Sequence, residues 1–229
     1  MKSKVFTQPR FSTRGFSARA GSLSLWLGGA ALALRIFLRI TRELIEGEVG
    51  AMDNVILGAV VKARTPWLTT VSVDVTALRS VTLVVVFSAF TFLVLLVLRD
   101  RLGALQLLAA STGAAILTVV TKDMIERLRP KEAQQLIVVS GFSYPSGHSA
   151  ATSALYLTTA IIAGRHVHHS GARAALFIAV SMVILMVAAS RVYLGVHFAT
   201  DVVSGISLGA SWALLLAGFF VRVNPRDSS

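Results

Sequence analysis

No cysteine occurs among the 229 residues, which excludes disulfide frameworks and thiolate metal sites while leaving the compartment open. Charge is scarce: 14% of the residues are Asp, Glu, Lys or Arg, against about 25% in soluble domains. Acidic side chains are scarcer still, 11 against 22 lysines and arginines, for a formal net charge of +11. Only five prolines occur, and none interrupts a long apolar run, where it would break a helix. No internal repeat, low-complexity tract or change of composition marks a second domain.

What the chain has in excess is apolar surface, with 55% hydrophobic residues and a mean hydropathy of +0.73. That departs from soluble composition toward an integral membrane protein. The basic residues form no long run and have no interleaved aromatics, so nucleic acid is not the expected partner. Attraction to anionic lipid head groups accounts for them more simply. Lys2, Lys4, Arg10, Arg14 and Arg19 precede the first apolar run. That run has no small-x-small cleavage site followed by a soluble domain, so residues 1–21 read as a basic cytoplasmic tail and not as a signal peptide.

A membrane span needs about 20 mostly apolar residues. Stretches 81–98 and 102–120 fit, joined by the tight basic turn Arg99-Asp100-Arg101. Stretch 150–163, begun at His148, is shorter and rich in Ala, Ser and Thr; 174–189 and 202–221 complete the clear set. A sixth, 22–40, carries Arg35 and Arg39 near its end, where they can snorkel to an interface. The expected fold is all-α, a polytopic membrane protein with about six transmembrane helices in one bundle. Its domain spans 22–221 and is followed by a short tail, 222–229. Residues 43–79 are too polar to span, and Pro66-Trp67-Leu68 within them resembles an interfacial anchor. Gly205 and Gly209 have the GxxxG spacing, read as close helix packing inside the bundle.

Three polar clusters lie among these stretches, where ionisable residues are costly and usually functional. They are Lys122 to Pro130, Pro145-Ser146-Gly147-His148, and Ser190 to Asp201. With six spans all three emerge on one membrane face, as an assembled site requires. Lys122 and Arg129 are seven residues apart, about two helical turns, which places both cations on one helix face. There they can converge on a dianion, Arg as a planar fork and Lys as a point charge. Pro145 to His148 opens the fourth span, where unpaired backbone N–H groups favour an anion. Gly147 allows close approach and Ser146 can cap the helix or donate a hydroxyl. His197 and Asp201 are four apart and face each other across one turn if the last helix begins before His197. The carboxylate would then fix the imidazole tautomer and leave the other nitrogen as a nucleophile.

Taken together, the order and spacing resemble the type 2 phosphatidic acid phosphatase superfamily, whose motifs read K-x6-R-P, P-S-G-H and S-R-x5-H-x3-D. Lys122, Arg129 and Pro130, then Pro145 to His148, then Ser190, Arg191, His197 and Asp201 fill every fixed position. The likeness in architecture extends over approximately residues 43–221. The resemblance implies that His197 attacks phosphorus and forms a phosphohistidine, with Asp201 orienting it. It implies that His148 protonates the leaving oxygen and then assists water. Lys122, Arg129 and Arg191, with Ser146 and the Gly147 N–H, would hold the phosphate oxygens. Three cations can stand in for metal ions, so no metal or other cofactor is expected.

Other chemistries would use some of the same residues. His148, His197 and Asp201 could offer three metal ligands, but three cations in the same pocket oppose a dication. His166, His168 and His169 form a further cluster, read as a solvated loop on the opposite face. A transporter or channel should carry ionisable residues near the middle of its helices, whereas here they lie at the ends. The expected partners are the bilayer and a lipid phosphate: phosphatidic acid, phosphatidylglycerol phosphate, a polyprenyl pyrophosphate or a phosphorylated lipid A. A lipid phosphotransferase would share the phosphohistidine half-reaction, and the sequence does not separate it from a hydrolase. The basic residues balance across the two faces until the phosphate ligands are set aside. The positive-inside rule then puts the tail in the cytoplasm and the site on the outer face; size and the family resemblance imply a bacterial inner membrane.

Overall fold

Long apolar runs free of proline satisfy their backbone groups in lipid by coiling into helices, and these do. In the computed structural model, residues 13–77, 81–131 and 134–223 are described. They form α1 (Thr13–Ile45), α2 (Gly50–Lys62), α3 (Pro66–Ala77), α4 (Val81–Val97), α5 (Arg101–Ile125), α6 (Gly147–Gly164), α7 (Ser170–Tyr193) and α8 (Ala199–Val223). Among the described residues there is no strand. The fold is all-α, and six of the eight helices, α1 and α4 to α8, fall on the expected spans. Of the expected tails, 1–12 and 224–229 lie outside the described residues; α1 already begins at Thr13 and α8 runs on to Val223.

The six are not alike as spans. Leu23–Ile45, Arg101–Ile125, Ser170–Tyr193 and Ala199–Val223 are long and apolar enough to cross a membrane, and Val86–Val97 of α4 is apolar but shorter. The count of six is therefore approximate. Helix α6 is short and rich in small and hydroxyl residues because protein surrounds it, with α5, α7 and α8 all packed on it. Ala150, Ala154, Leu155, Thr158 and Ala160 of α6 are all buried. The outer helices present Leu25, Leu32, Leu38, Phe90, Ile178, Leu185 and Phe219 to the surroundings, the apolar belt that lipid asks for.

Within segment 43–79, residues 50–62 and 66–77 form α2 and α3, with Pro66 at the first position of α3, where a missing N–H costs nothing. Trp67 beside it is 70% exposed, as an interfacial anchor should be. Arg64, between the two helices, ties them to the rest of the bundle. Its Nη2 donates to the carbonyls of Tyr193 and Gln134, both at 2.7 Å. The Tyr193 hydroxyl accepts from the Thr65 N–H at 3.0 Å. Burial lowers the pKa of Arg64 below the usual arginine value, and the Tyr193 phenol opposes that shift. Its bonds to carbonyls compensate it with dipoles alone.

The turn before α5 is tight, as expected. Arg99 is left-handed at φ 59°, and the Asp100 carboxylate caps the helix by accepting from the Gly103 N–H at 2.9 Å. The GxxxG pair in α8 serves packing inside the bundle. A Cβ on Gly205 would stand 2.4 Å from the Ser146 carbonyl oxygen, and one on Gly209 2.1 Å from that of Ala150. Backbone meets backbone there, with no flexible side chain to yield. Gly209→Ala should therefore destabilise the fold by about 1–3 kcal/mol or more. Gly28→Ala, on α1 with nothing within 4 Å of the new Cβ, should leave thermal unfolding in detergent unchanged or slightly raised. Equal melting temperatures for the two variants would contradict this packing.

Candidate active site

The first cluster does not ride on a helix face. Helix α5 stops at Ile125, and Glu126 takes the left-handed conformation at φ 50°, its N–H bonding back to the Lys122 carbonyl. Pro130 also disfavours the helical region for the residue before it, Arg129. The expectation that Lys122 and Arg129 share a helix face is thus corrected: Lys122 sits in the last turn of α5 and Arg129 on the chain beyond it. The following loop brings them together. The Lys122 ammonium donates to the Phe142 carbonyl. Arg129 Nε donates to Gly141 O at 2.9 Å and Nη2 to Ser140 O at 3.3 Å. Three successive carbonyls therefore hold two cations, and Lys122 lies within electrostatic range of both Arg129 and Asp201.

The second cluster is a helix start. The Tyr144–Pro145 peptide is cis. Ser146 caps α6, its hydroxyl accepting from the Ser149 N–H at 3.4 Å and the Ser149 hydroxyl at 3.1 Å. Gly147 lies against α5, where a Cβ would meet Thr118 Cγ2 at 3.3 Å and Lys122 Cε at 4.0 Å. A glycine here keeps the α6 N-terminus close to the lysine. His148 follows in the first turn, half-buried. Tyr144, just before, is fully buried, shares a hydrogen bond of 2.6 Å with Thr41 and stacks on Phe37 of α1. Burial raises the Tyr144 pKa above its usual value, with bonds to Ser204 and Thr41 opposing.

The third cluster meets both others. Arg191, in the last turn of α7, is almost fully buried. Helix α8 begins at Ala199, after His197 and not before it, so the four-residue spacing works through a cap and not a helical turn. Asp201 reaches back from the first turn, its Oδ2 accepting from the Phe198 N–H at 2.9 Å, as an acidic residue in a capping box does. The same oxygen stands 3.5 Å from His197 Nδ1, a loose pairing across the turn. The other ring nitrogen, Nε2, is 3.3 Å from Arg129 Nη1, whose guanidinium also donates to the Val196 carbonyl at 2.7 Å. A guanidinium can only donate, so this contact assigns the lone pair to Nε2 and the proton to Nδ1, facing Asp201. The Asp201 carbonyl in turn accepts from the Ser146 N–H at 2.9 Å, which locks the second cluster to the third.

Electrostatics follow from burial. The His197 ring is buried, and that alone pushes its pKa down. Asp201 opposes the shift, Arg129 and Arg191 add to it, and the result is a value lowered to about 4. The ring is neutral at physiological pH, which a nucleophilic nitrogen needs. Arg129 too is held below the usual arginine value by burial, with Asp201 opposing. Its hydrogen bonds go to neutral groups, the carbonyls of Ser140, Gly141 and Val196, so an anion placed among these cations would be attracted strongly.

Two charged residues absent from the sequence expectation belong to this site. Arg127 Nη1 donates to Asp201 Oδ1 at 2.5 Å, and its Nη2 to Asp53 Oδ2 at 2.6 Å. Both carboxylates are fully buried, and the Arg127 side chain is 11% exposed. Asp53 comes from α2, in the segment set aside as too polar to span. Its signal was a lone carboxylate ahead of the apolar run Val55-Ile56-Leu57, and that of Arg127 one cation more than the phosphate motif needs. His166, His168 and His169 are exposed in the connection between α6 and α7, as expected of a solvated loop.

The chain has counterparts among known proteins. Residues 103–225 match the PAP2 superfamily. Phosphatidylglycerophosphatase B of Bacillus subtilis (strain 168) is 35% identical over 192 residues, covering 82% of this chain and 92% of that protein. A solved structure described as the first transmembrane PAP2 type phosphatidylglycerolphosphate phosphatase from Bacillus subtilis superposes with a TM-score of 0.80. That match is at 30% identity and covers 86% of this chain and 98% of the other. With every motif position filled and three polar clusters drawn to one end of an apolar bundle, the chain belongs to the PAP2 superfamily.

Proposed function

We propose that this integral membrane protein is a lipid phosphatase that hydrolyses a phosphate monoester, with phosphatidylglycerol phosphate as the first substrate to test. The observation that carries the reading is the state of His197: buried, its Nδ1 facing Asp201 and its Nε2 lone pair facing Arg129. That nitrogen lies beside Arg129 and within electrostatic range of Arg191, two of the cations that would hold phosphate in this reading. The 35% identity to phosphatidylglycerophosphatase B across most of both chains favours the monoester over a pyrophosphate.

In this reading Lys122 and Arg129 exchange loop carbonyls for phosphate oxygens and Arg191 joins them, helped by Ser146 and the Gly147 N–H. Phosphoryl transfer asks chiefly for positioning and charge stabilisation. His197 Nε2 forms a bond to phosphorus as the bond to the lipid oxygen breaks, and protonated His148 gives that oxygen its proton. The lipid leaves as an alcohol. Neutral His148 then takes a proton from water as the water oxygen attacks the phosphohistidine. Inorganic phosphate leaves, and both histidines return to their starting states. The positive charge that His197 carries in between is balanced by Asp201. Cations perform the neutralising role, so the reading needs no metal. The basic N-terminal residues favour a cytoplasmic tail and a site on the outer face of a bacterial inner membrane.

Phosphate release by the purified enzyme across phospholipid and polyprenyl phosphates, with EDTA present, tests this. Wild type should release phosphate and His197→Ala should not. Asp201→Asn should fall by orders of magnitude, and Arg191→Lys should be impaired because the planar fork is lost. Turnover by His197→Ala, or loss of wild-type turnover in EDTA, would contradict the mechanism. Silence with every lipid until an alcohol acceptor is added would make the enzyme a phosphotransferase.

The depressed His197 pKa gives a separate check. A histidine lowered to about 4 stays neutral as pH falls through the ordinary value of about 6.5, and takes a proton only near the lowered one. Ring nitrogen NMR of His197 in the free enzyme should show a neutral imidazole at pH of about 5 to 6. A ring already charged at pH of about 6 would contradict the buried placement.

A further inference from the structure

Asp201 does two things that pull against each other. It must be buried to hold the imidazole, and a buried carboxylate needs a cation or good hydrogen bonds. Arg127 supplies the cation at 2.5 Å from Oδ1. A guanidinium devoted wholly to Asp201 would cancel the charge that His197 needs once its ring becomes positive. The structure divides that guanidinium. Its second arm is taken by Asp53 at 2.6 Å, and Thr200 closes the ring of contacts. The Thr200 N–H donates to Asp53 Oδ1 at 3.1 Å and its hydroxyl to Asp53 Oδ2 at 2.5 Å. Arg127 Nη1 also contacts the Thr200 hydroxyl at 2.8 Å. The guanidinium carbon lies over the Phe198 ring, 4.3 Å from its centroid.

We propose that Asp53 is a positioning residue for phosphoryl transfer: by sharing Arg127 with Asp201, it fixes the catalytic carboxylate toward His197 and leaves it its negative charge. Two carboxylates and one guanidinium carry one net negative charge, and the ring that faces it is His197. The cluster also explains why α2, which contributes nothing to the phosphate motifs, is clamped onto the bundle by Arg64. Neither Asp53 nor Arg127 is placed against the phosphate in this account. Their effect runs through Asp201 and falls on the chemical step, not on substrate binding.

The inference rests on the reading of His197 as nucleophile, and the two fail differently. Activity in His197→Ala removes that reading; an inactive His197→Ala beside a fully active Asp53→Asn removes only the inference. Asp53→Asn keeps the shape and removes the charge, which releases Arg127 onto Asp201. It should lower kcat by about 10- to 100-fold, the scale met when a group that orients a catalytic ligand is lost, while KM moves by less than about twofold. In an Asp201→Asn background the same substitution should change kcat by less than about threefold, because residues acting as one unit are not additive. Thr200→Val removes only the hydroxyl and should give a smaller loss, again in kcat. Equal fold-losses in both backgrounds would mark a structural role and overturn the proposal. So would unaltered kcat in Asp53→Asn or, should that variant not fold, unaltered kcat in Thr200→Val.

Discussion

A carboxylate with no solvent exposure, Asp201, is the constraint around which the polar end of this bundle is built. An ionised carboxylate in a dry interior is costly unless each lone pair is answered. Asp201 is answered on every side: Arg127 on Oδ1, the Phe198 N–H and the His197 ring on Oδ2, and the Ser146 N–H on its backbone carbonyl. These partners come from the loop after α5, the turn before α8 and the cap of α6. One residue therefore fixes the relative placement of all three motifs. Arg127 extends the reach to α2, which explains how a segment without a motif residue becomes part of the site.

The rest of the molecule divides its labour by solvent. Toward lipid it shows leucine, valine and phenylalanine. Inside, α6 and α8 approach through Gly205 and Gly209 so closely that carbonyl oxygens fill the space a side chain would take. That contact holds the α6 cap, with Ser146 and Gly147, against the start of α8, where Asp201 sits. Packing deep in the bundle is thus what sets the geometry at its end. The cations, placed at helix ends and in the loop beyond, avoid the cost of charge at mid-membrane depth.

Much of this was legible in the sequence, because long apolar runs and fixed motif spacings report physical demands that leave little choice. Helices α4, α5, α7 and α8 follow from length and hydropathy, and the convergence of the motifs follows from counting spans. Other features were hidden for stated reasons. Helix α6 reads as a span but a short one, and the sequence does not say why: a helix enclosed by protein can use Ala, Ser and Thr where lipid would require Leu. Lys122 and Arg129 invited a shared helix face, since spacing alone does not reveal the left-handed Glu126 that ends α5. His197 and Asp201 meet through a capping contact that a four-residue spacing mimics. Asp53 and Arg127 pair across 74 positions of chain, and no local pattern encodes a partner that far away.

The claim on which all of this turns is that His197 Nε2 bonds to phosphorus during turnover. Rapid quenching of the enzyme with lipid carrying labelled phosphate, followed by alkaline digestion and peptide mapping, tests it most directly. The account predicts label on the peptide containing His197, stable to alkali and lost in acid, and no such label in His197→Ala. Label on another residue, or turnover at the full rate with no phosphoenzyme at any time, would contradict it.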